Sequence, residues 1–119
     1  MRYVQFLVFS FVLREIPRNF KNLISKAGYD KESLDKFFFH QANKYMNDYL
    51  GKKLKLPSDK APQSLQKYGN TSSVSIPLNI VDYYGGQLIE NETWLLSGFG
   101  VGMSWASVIL PVRDIRVLP

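Results

Sequence analysis

The stretch FFFHQANKYMNDYLGKK, residues 37–53, decides the fold because its hydrophobic period changes partway along. Phe37, Phe38 and Phe39 form an unbroken aromatic run, too short for a helix, which predicts a buried strand ending at His40. From residue 41 to 53 the apolar side chains Ala42, Tyr45, Met46, Tyr49 and Leu50 recur as one stripe, which predicts a helix. A strand that hands over to a helix is a building unit of an α/β layer. Open α/β sheets place their sites at such points, outside the carboxyl ends of strands. The only histidine of the chain stands there.

Upstream, Val8, Val12, Ile16, Phe20, Leu23, Ile24 and Ala27 mark a second amphipathic helix over residues 8–27. Pro17 is expected to kink it or mark a restart, and Gly28 to stop it. Residues 30–34 read as a polar turn. Downstream, Pro57 and Pro62 bracket a loop, and residues 64–66 read as a very short strand. Residues 68–71 form a turn in which Asn70 or Thr71 can cap a helix over 72–84, perturbed by Pro77 and ended by Gly85 and Gly86. Residues 94–99 are a strong apolar strand, Gly98, Gly100 and Gly102 a turn, and residues 104–112 the return strand of an antiparallel hairpin. The tail after Arg113 reads as extended.

This order predicts an α/β fold: one mixed sheet with packed helices, in a single domain over residues 1–119. The first helix has no strand before it, so the chain reads as cut. The 45% apolar and 21% charged fractions are ordinary for a soluble globular domain. Net charge is +5, with a local group at Lys52, Lys53, Lys55 and Lys60. That balance suits an acidic partner or a plain solvated face. No zinc spacing, RNP-type strand or long basic stripe points to nucleic acid. The absence of cysteine excludes disulfides, thiolate metal sites and a cysteine nucleophile within these residues. The apolar stretch 3–13 has no small-residue cleavage site after it and is too short to span a bilayer, so neither a secretory leader nor a membrane partner is expected.

Three elements can carry chemistry. His40 can be a satisfied core histidine, or an imidazole aimed by a strand end and reached by substrate. Asn70 can be a turn or cap residue, or a side-chain N–H donor to a developing oxyanion. The run from Gly98 to Gly102 can be a plain hairpin turn, or a backbone that approaches substrate with Phe99 as a wall. It is no dinucleotide loop, since no helix follows it.

Taken together, FFFHQANKYMNDYLGKKLKLP (37–57), YGNTSSVSIPL (68–78) and SGFGVGMSWASVIL (97–110) resemble the C-terminal domain of the ketosynthase III group, the 3-oxoacyl-[acyl-carrier-protein] synthase III enzymes of the thiolase superfamily. VFSFVLREIP (8–17) resembles the helix before the histidine strand there, so the resemblance covers about residues 8–110. It implies the C-terminal half of a thiolase-like fold, with the N-terminal half absent. It implies a Cys-His-Asn site in which cysteine takes an acyl group from acyl-CoA. Malonyl-carrier protein then loses CO2, and the resulting carbanion attacks the acyl-cysteine. His40 and Asn70 match the family's His and Asn, the two donors to the enolate oxygen. Phe99 matches the family's phenylalanine beside the site, with Gly100, Val101 and Asn43 as further substrate contacts. The family often has three consecutive glycines where this chain has Gly100, Val101 and Gly102, and Val101 keeps its N–H. Where some relatives carry an arginine two residues past the His-Gln-Ala-Asn motif, Tyr45 stands here, leaving Lys44, Lys52 and Lys53 to dock the acidic carrier.

The resemblance also implies acyl-CoA and malonyl-carrier protein as substrates, no bound cofactor or metal, a cytoplasmic location, and a partner half supplying the cysteine. An uncovered apolar face is expected to drive homo-oligomer formation. The other reading is a non-catalytic binding or scaffold domain, or a truncated gene product, that keeps the fold without the chemistry.

Overall fold

A computed structural model describes residues 2–100 and 102–119. Its elements in chain order are α1 (Arg2–Ala27), β1 (Lys36–Phe39), α2 (Lys44–Lys53), α3 (Leu65–Tyr68), α4 (Ser75–Tyr84), β2 (Leu88–Gly100) and β3 (Ser104–Arg116). Single 3-10 turns at Lys31–Ser33 and Ser72–Val74 precede β1 and α4.

The three phenylalanines organise the layers. Side chains alternate across a strand, so Phe37 and Phe39 enter one core and Phe38 the other. The first core joins Val12, Ile16 and Phe20 of α1 to Met46 and Leu50 of α2 against the sheet. The second joins Tyr84 of α4 to Trp94 and Val112 of the hairpin. All three phenylalanines are buried. Full burial of such a ring is worth roughly 1.5–3 kcal/mol, so this short strand anchors both faces. The sheet order is β1-β2-β3. β1 runs parallel to β2, pairing Phe39 with Ser97, and β2 runs antiparallel to β3 as far as Gly100 opposite Ser104. The mixed sheet with helices on both faces is the α/β fold expected.

Several local expectations are corrected. α1 starts at Arg2 and runs through Pro17 without a restart. Proline there removes one helical bond, but Pro17 itself is buried, between the core residues Ile16 and Phe20. α2 begins at Lys44, not at residue 41, because Asn43 is its N-cap and accepts from Met46 N–H. Residues 64–66 form no strand: Ser64 precedes the helical turn α3, and its N–H is taken by Gln41. The outer edge of β1 is met by the preceding loop instead, where Phe37 N–H donates to Lys60 C=O at 2.8 Å. Pro77 does not perturb α4, because it falls in the first turn, where backbone N–H groups have no helical partner. β2 starts at Leu88 rather than residue 94, since polar Glu90 and Asn91 hide a ladder that continues to Arg116. Gly98 and Gly100 lie in β2, and the turn falls on Gly102 and Met103, both at positive φ.

Large apolar side chains stay exposed on α1 (Tyr3, Phe6) and on the edge strand β3 (Trp105, Val108, Ile115). Among the described residues, no helix is long and apolar enough to cross a membrane.

Candidate active site

His40 is the residue after β1, and its main chain is held on both sides. Its N–H donates to Ser97 C=O at 2.9 Å, continuing the sheet by one bond. Its C=O accepts from Asn47 Nδ2 at 3.0 Å. The next residues cannot drift. Gln41, fully buried, donates to Phe39 C=O at 2.9 Å and accepts from Ser64 N–H at 3.0 Å. Asn47 Oδ1 accepts from Ala42 N–H at 3.0 Å. These side-chain amides hold the irregular segment between strand and helix, where no ladder is present to do so.

The imidazole is half-buried. Its Nδ1 lies 2.6 Å from the hydroxyl of Ser75, the first residue of α4. Its ring meets Phe99 edge-on at 5.2 Å between centroids. Burial pushes its pKa below the ordinary histidine value, so the ring is neutral at pH 7.

Asn70 reaches the same place from the loop after α3. Gly69 turns the chain at φ 67°, ψ −156°, a conformation open to glycine. Asn70 Oδ1 then accepts from Ser72 N–H at 2.9 Å, and Ser72 sits at φ 59°. The turn reading of Asn70 therefore holds for its oxygen, but neither Asn70 nor Thr71 caps α4, which starts at Ser75 after Val74 with no side-chain cap bond. Its Nδ2 has no partner among the described residues and remains available to donate.

A cleft of about 740 Å³ joins these groups, lined by His40, Asn70, Ser72, Phe99, Gly100 and Trp105. A Cβ placed on Gly100 would meet no atom within 4 Å, so that glycine is not demanded by packing within this chain. A neutral imidazole and a primary amide around one cleft can each offer an N–H to an oxygen acceptor. Among the described residues, no group of three or more His, Cys, Asp or Glu stands together to hold a metal ion.

Of the other residues singled out in the sequence, Asn43 lines a second cavity that also touches Asn70, while its side chain caps α2. Val101 lies outside the described residues. Lys44 is paired with Asp48 at 2.7 Å; this bond and one from Gln63 hold the Asp48 carboxyl below its usual range. Lys52 and Lys53 project from the exposed last turn of α2. Sequence reasoning missed Ser75 and Trp105. Trp105 is read there as an ordinary strand residue, and Ser75 meets His40 only through the packing of α4 on β1.

The family described as 3-oxoacyl-[acyl-carrier-protein (ACP)] synthase III C terminal matches residues 24–112. The chain is 37% identical over 108 residues to the beta-ketoacyl-[acyl-carrier-protein] synthase III of Streptococcus agalactiae, covering 88% of this chain and 33% of that protein. It is 38% identical over 104 residues to the enzyme of the same name from Prochlorococcus marinus, covering 87% of this chain and 31% of the relative. The crystal structure of a 3-oxoacyl-(acyl-carrier protein) synthase from Burkholderia xenovorans superposes with a TM-score of 0.86 at 39% identity, covering 93% of this chain and 32% of that one. The chain thus spans about a third of the length of the relatives it matches.

Proposed function

Because the chain belongs to the 3-oxoacyl-[acyl-carrier-protein] synthase III C-terminal family, we propose that it is the His- and Asn-bearing part of an acyltransferase that condenses an acyl-CoA primer with malonyl-carrier protein. The observation that carries this reading is the convergence of His40 and Asn70 on one cleft, with Phe99 against the imidazole.

The chemistry follows from charge. A cysteine outside these residues accepts the acyl group as a thioester and releases CoA. The malonyl thioester then enters with its carbonyl oxygen between His40 and Asn70. Breaking the C–CO2 bond leaves its electron pair on the α-carbon and, by conjugation, on that oxygen. Two fixed N–H donors stabilise the enolate more than the neutral carbonyl, which lowers the barrier. The α-carbon attacks the acyl thioester, a C–C bond forms, and cysteine thiolate leaves. Phe99 walls the region of the malonyl carboxylate and favours its loss as neutral CO2.

Asn43, Gly100 and the Val101 N–H are proposed contacts for the substrate arm. Lys52 and Lys53 are the stronger candidates for the acidic carrier, since Lys44 is already neutralised by Asp48. No cofactor enters the scheme. The exposed apolar side chains of α1 and β3 are the surfaces for the cysteine-bearing half, or for a second copy. The lack of cysteine favours one further reading, a binding domain without chemistry.

Mixing the chain with a cysteine-bearing N-terminal half and measuring CO2 release from malonyl-carrier protein separates the two. Release above that of either half alone supports condensation. No complex and no rate gain sinks it.

A further inference from the structure

We propose that Ser75 is a positioning residue that holds His40 as the Nε2–H tautomer, leaving its single N–H free for the cleft. The use of that N–H rests on the function proposed above, but the tautomer itself does not.

The argument is one of hydrogen counting. Ser75 is 1% exposed, so its hydroxyl proton needs a partner inside the protein. Among the described residues, two polar groups lie within bonding distance of its oxygen: His40 Nδ1 at 2.6 Å and the main-chain N–H of Gln41 at 3.2 Å. The Gln41 amide is a donor, so the serine oxygen accepts from it. Among the described residues, no carbonyl accepts from the hydroxyl, not even along its own helix, where serine often bonds backwards. The only acceptor left for the proton is His40 Nδ1. Were Nδ1 protonated instead, Ser75 would accept twice and bury its own hydrogen unpaired. An unmet buried donor is more costly than a lost bond between two groups that both regain water.

A neutral imidazole carries one N–H. With Nδ1 accepting from Ser75, that N–H is on Nε2, the atom on the other side of the ring. His40 and Ser75 both border the cleft, but Ser75 is 1% exposed and its hydroxyl is taken up by Nδ1, so Nε2 is the ring nitrogen left to face the cleft. Gln41 contributes twice: its side chain pins the loop and its N–H orients the serine hydroxyl. The direct bond from α4 also makes the tautomer depend on how that helix sits on β1.

Since His40 is the only histidine, long-range 1H–15N correlation spectra of the uniformly 15N-labelled chain report it without ambiguity. At neutral pH the expected spectrum has an unprotonated Nδ1 and a protonated Nε2. S75A is expected to shift both nitrogens toward the tautomer average of free imidazole and to raise the midpoint of the His40 titration. S75T, which keeps a hydroxyl, is expected to restore both. A protonated Nδ1 in the unsubstituted protein overturns the proposal even if S75A fails to fold. So does a folded S75A with unchanged shifts and titration. An inactive reconstituted pair whose His40 is in the expected tautomer overturns the condensing function and leaves the Ser75 assignment standing.

Discussion

The two ends of α4 make opposite use of polar side chains. At its last residue, the Tyr84 hydroxyl donates to Glu92, and Trp94 Nε1 donates to the same carboxylate oxygen at 2.9 Å. The rings of Tyr84 and Trp94 stack at 5.3 Å with Phe38 against both. Both donors of that cluster have a partner within it. At its first residue, Ser75 engages one nitrogen of His40, and among the described residues the other nitrogen and Asn70 Nδ2 have no partner. One helix thus ends in a closed polar cluster and begins at an open one. Closed clusters brace a fold, whereas donors held in place without a protein partner await something that is not protein.

The largest expected effect breaks the open end. In the reconstituted pair, H40A or N70A should each reduce CO2 release about 100- to 1,000-fold, the usual effect of removing one oxyanion donor. The urea midpoint of N70A should barely move, while H40A, which leaves the buried Ser75 hydroxyl without its acceptor, should cost about 1–3 kcal/mol of stability. Full activity in both variants would remove these residues from the chemistry.

Breaking the closed end should do the reverse. E92A leaves the Tyr84 hydroxyl and Trp94 N–H unmet, which should destabilise the fold by about 2–6 kcal/mol, given roughly 1–3 kcal/mol per buried unpaired donor. Urea denaturation measures it, and the activity of whatever remains folded should be near normal. A stable E92A chain would show that the cluster is ornamental.

The two ends should also part company with pH. Burial, and then the Glu92 carboxylate, push the Tyr84 pKa well above the ordinary tyrosine value. Its folded form favours the neutral phenol, so this contribution is complete below pH ~10 and declines above it. Burial lowers the His40 pKa, so its contribution is present above the ordinary histidine value near 6.5 and lost as pH falls through the folded value. Thermal midpoints across pH should therefore lose their alkaline fall in Y84F and their slope below pH 6.5 in H40Q. Unchanged profiles would detach the respective group from stability.

The smallest effect concerns the carrier. Charge reversal at Lys52 and Lys53 together should weaken carrier binding several-fold at low salt, while K44A should do less, because exposed charges contribute only about 0.2–1 kcal/mol each. Titration calorimetry of the reconstituted pair at two salt concentrations tests it. A larger effect at Lys44 would move the docking surface to the start of α2.

The layered α/β fold was legible in the aromatic run 37–39 and in the stripes of α1 and α2, because burial on both faces of a strand leaves a pattern in linear order. The His-Gln-Ala-Asn and Tyr-Gly-Asn-Thr strings pointed to the site residues through resemblance. Their local pattern alone favoured a core or surface histidine and a helix cap. Element boundaries were less legible wherever a side chain replaced the backbone pattern, as with Asn43 capping α2 and Gln41 holding Ser64. Residue chemistry, spacing and the lack of a thiol were thus determined by sequence alone. The convergence of His40 and Asn70, 30 positions apart, was decided only in three dimensions. So was the bond from Ser75 to His40, 35 residues away. Such contacts depend on how a helix seats on a strand, and side-chain packing sets that seat without leaving a period in the chain.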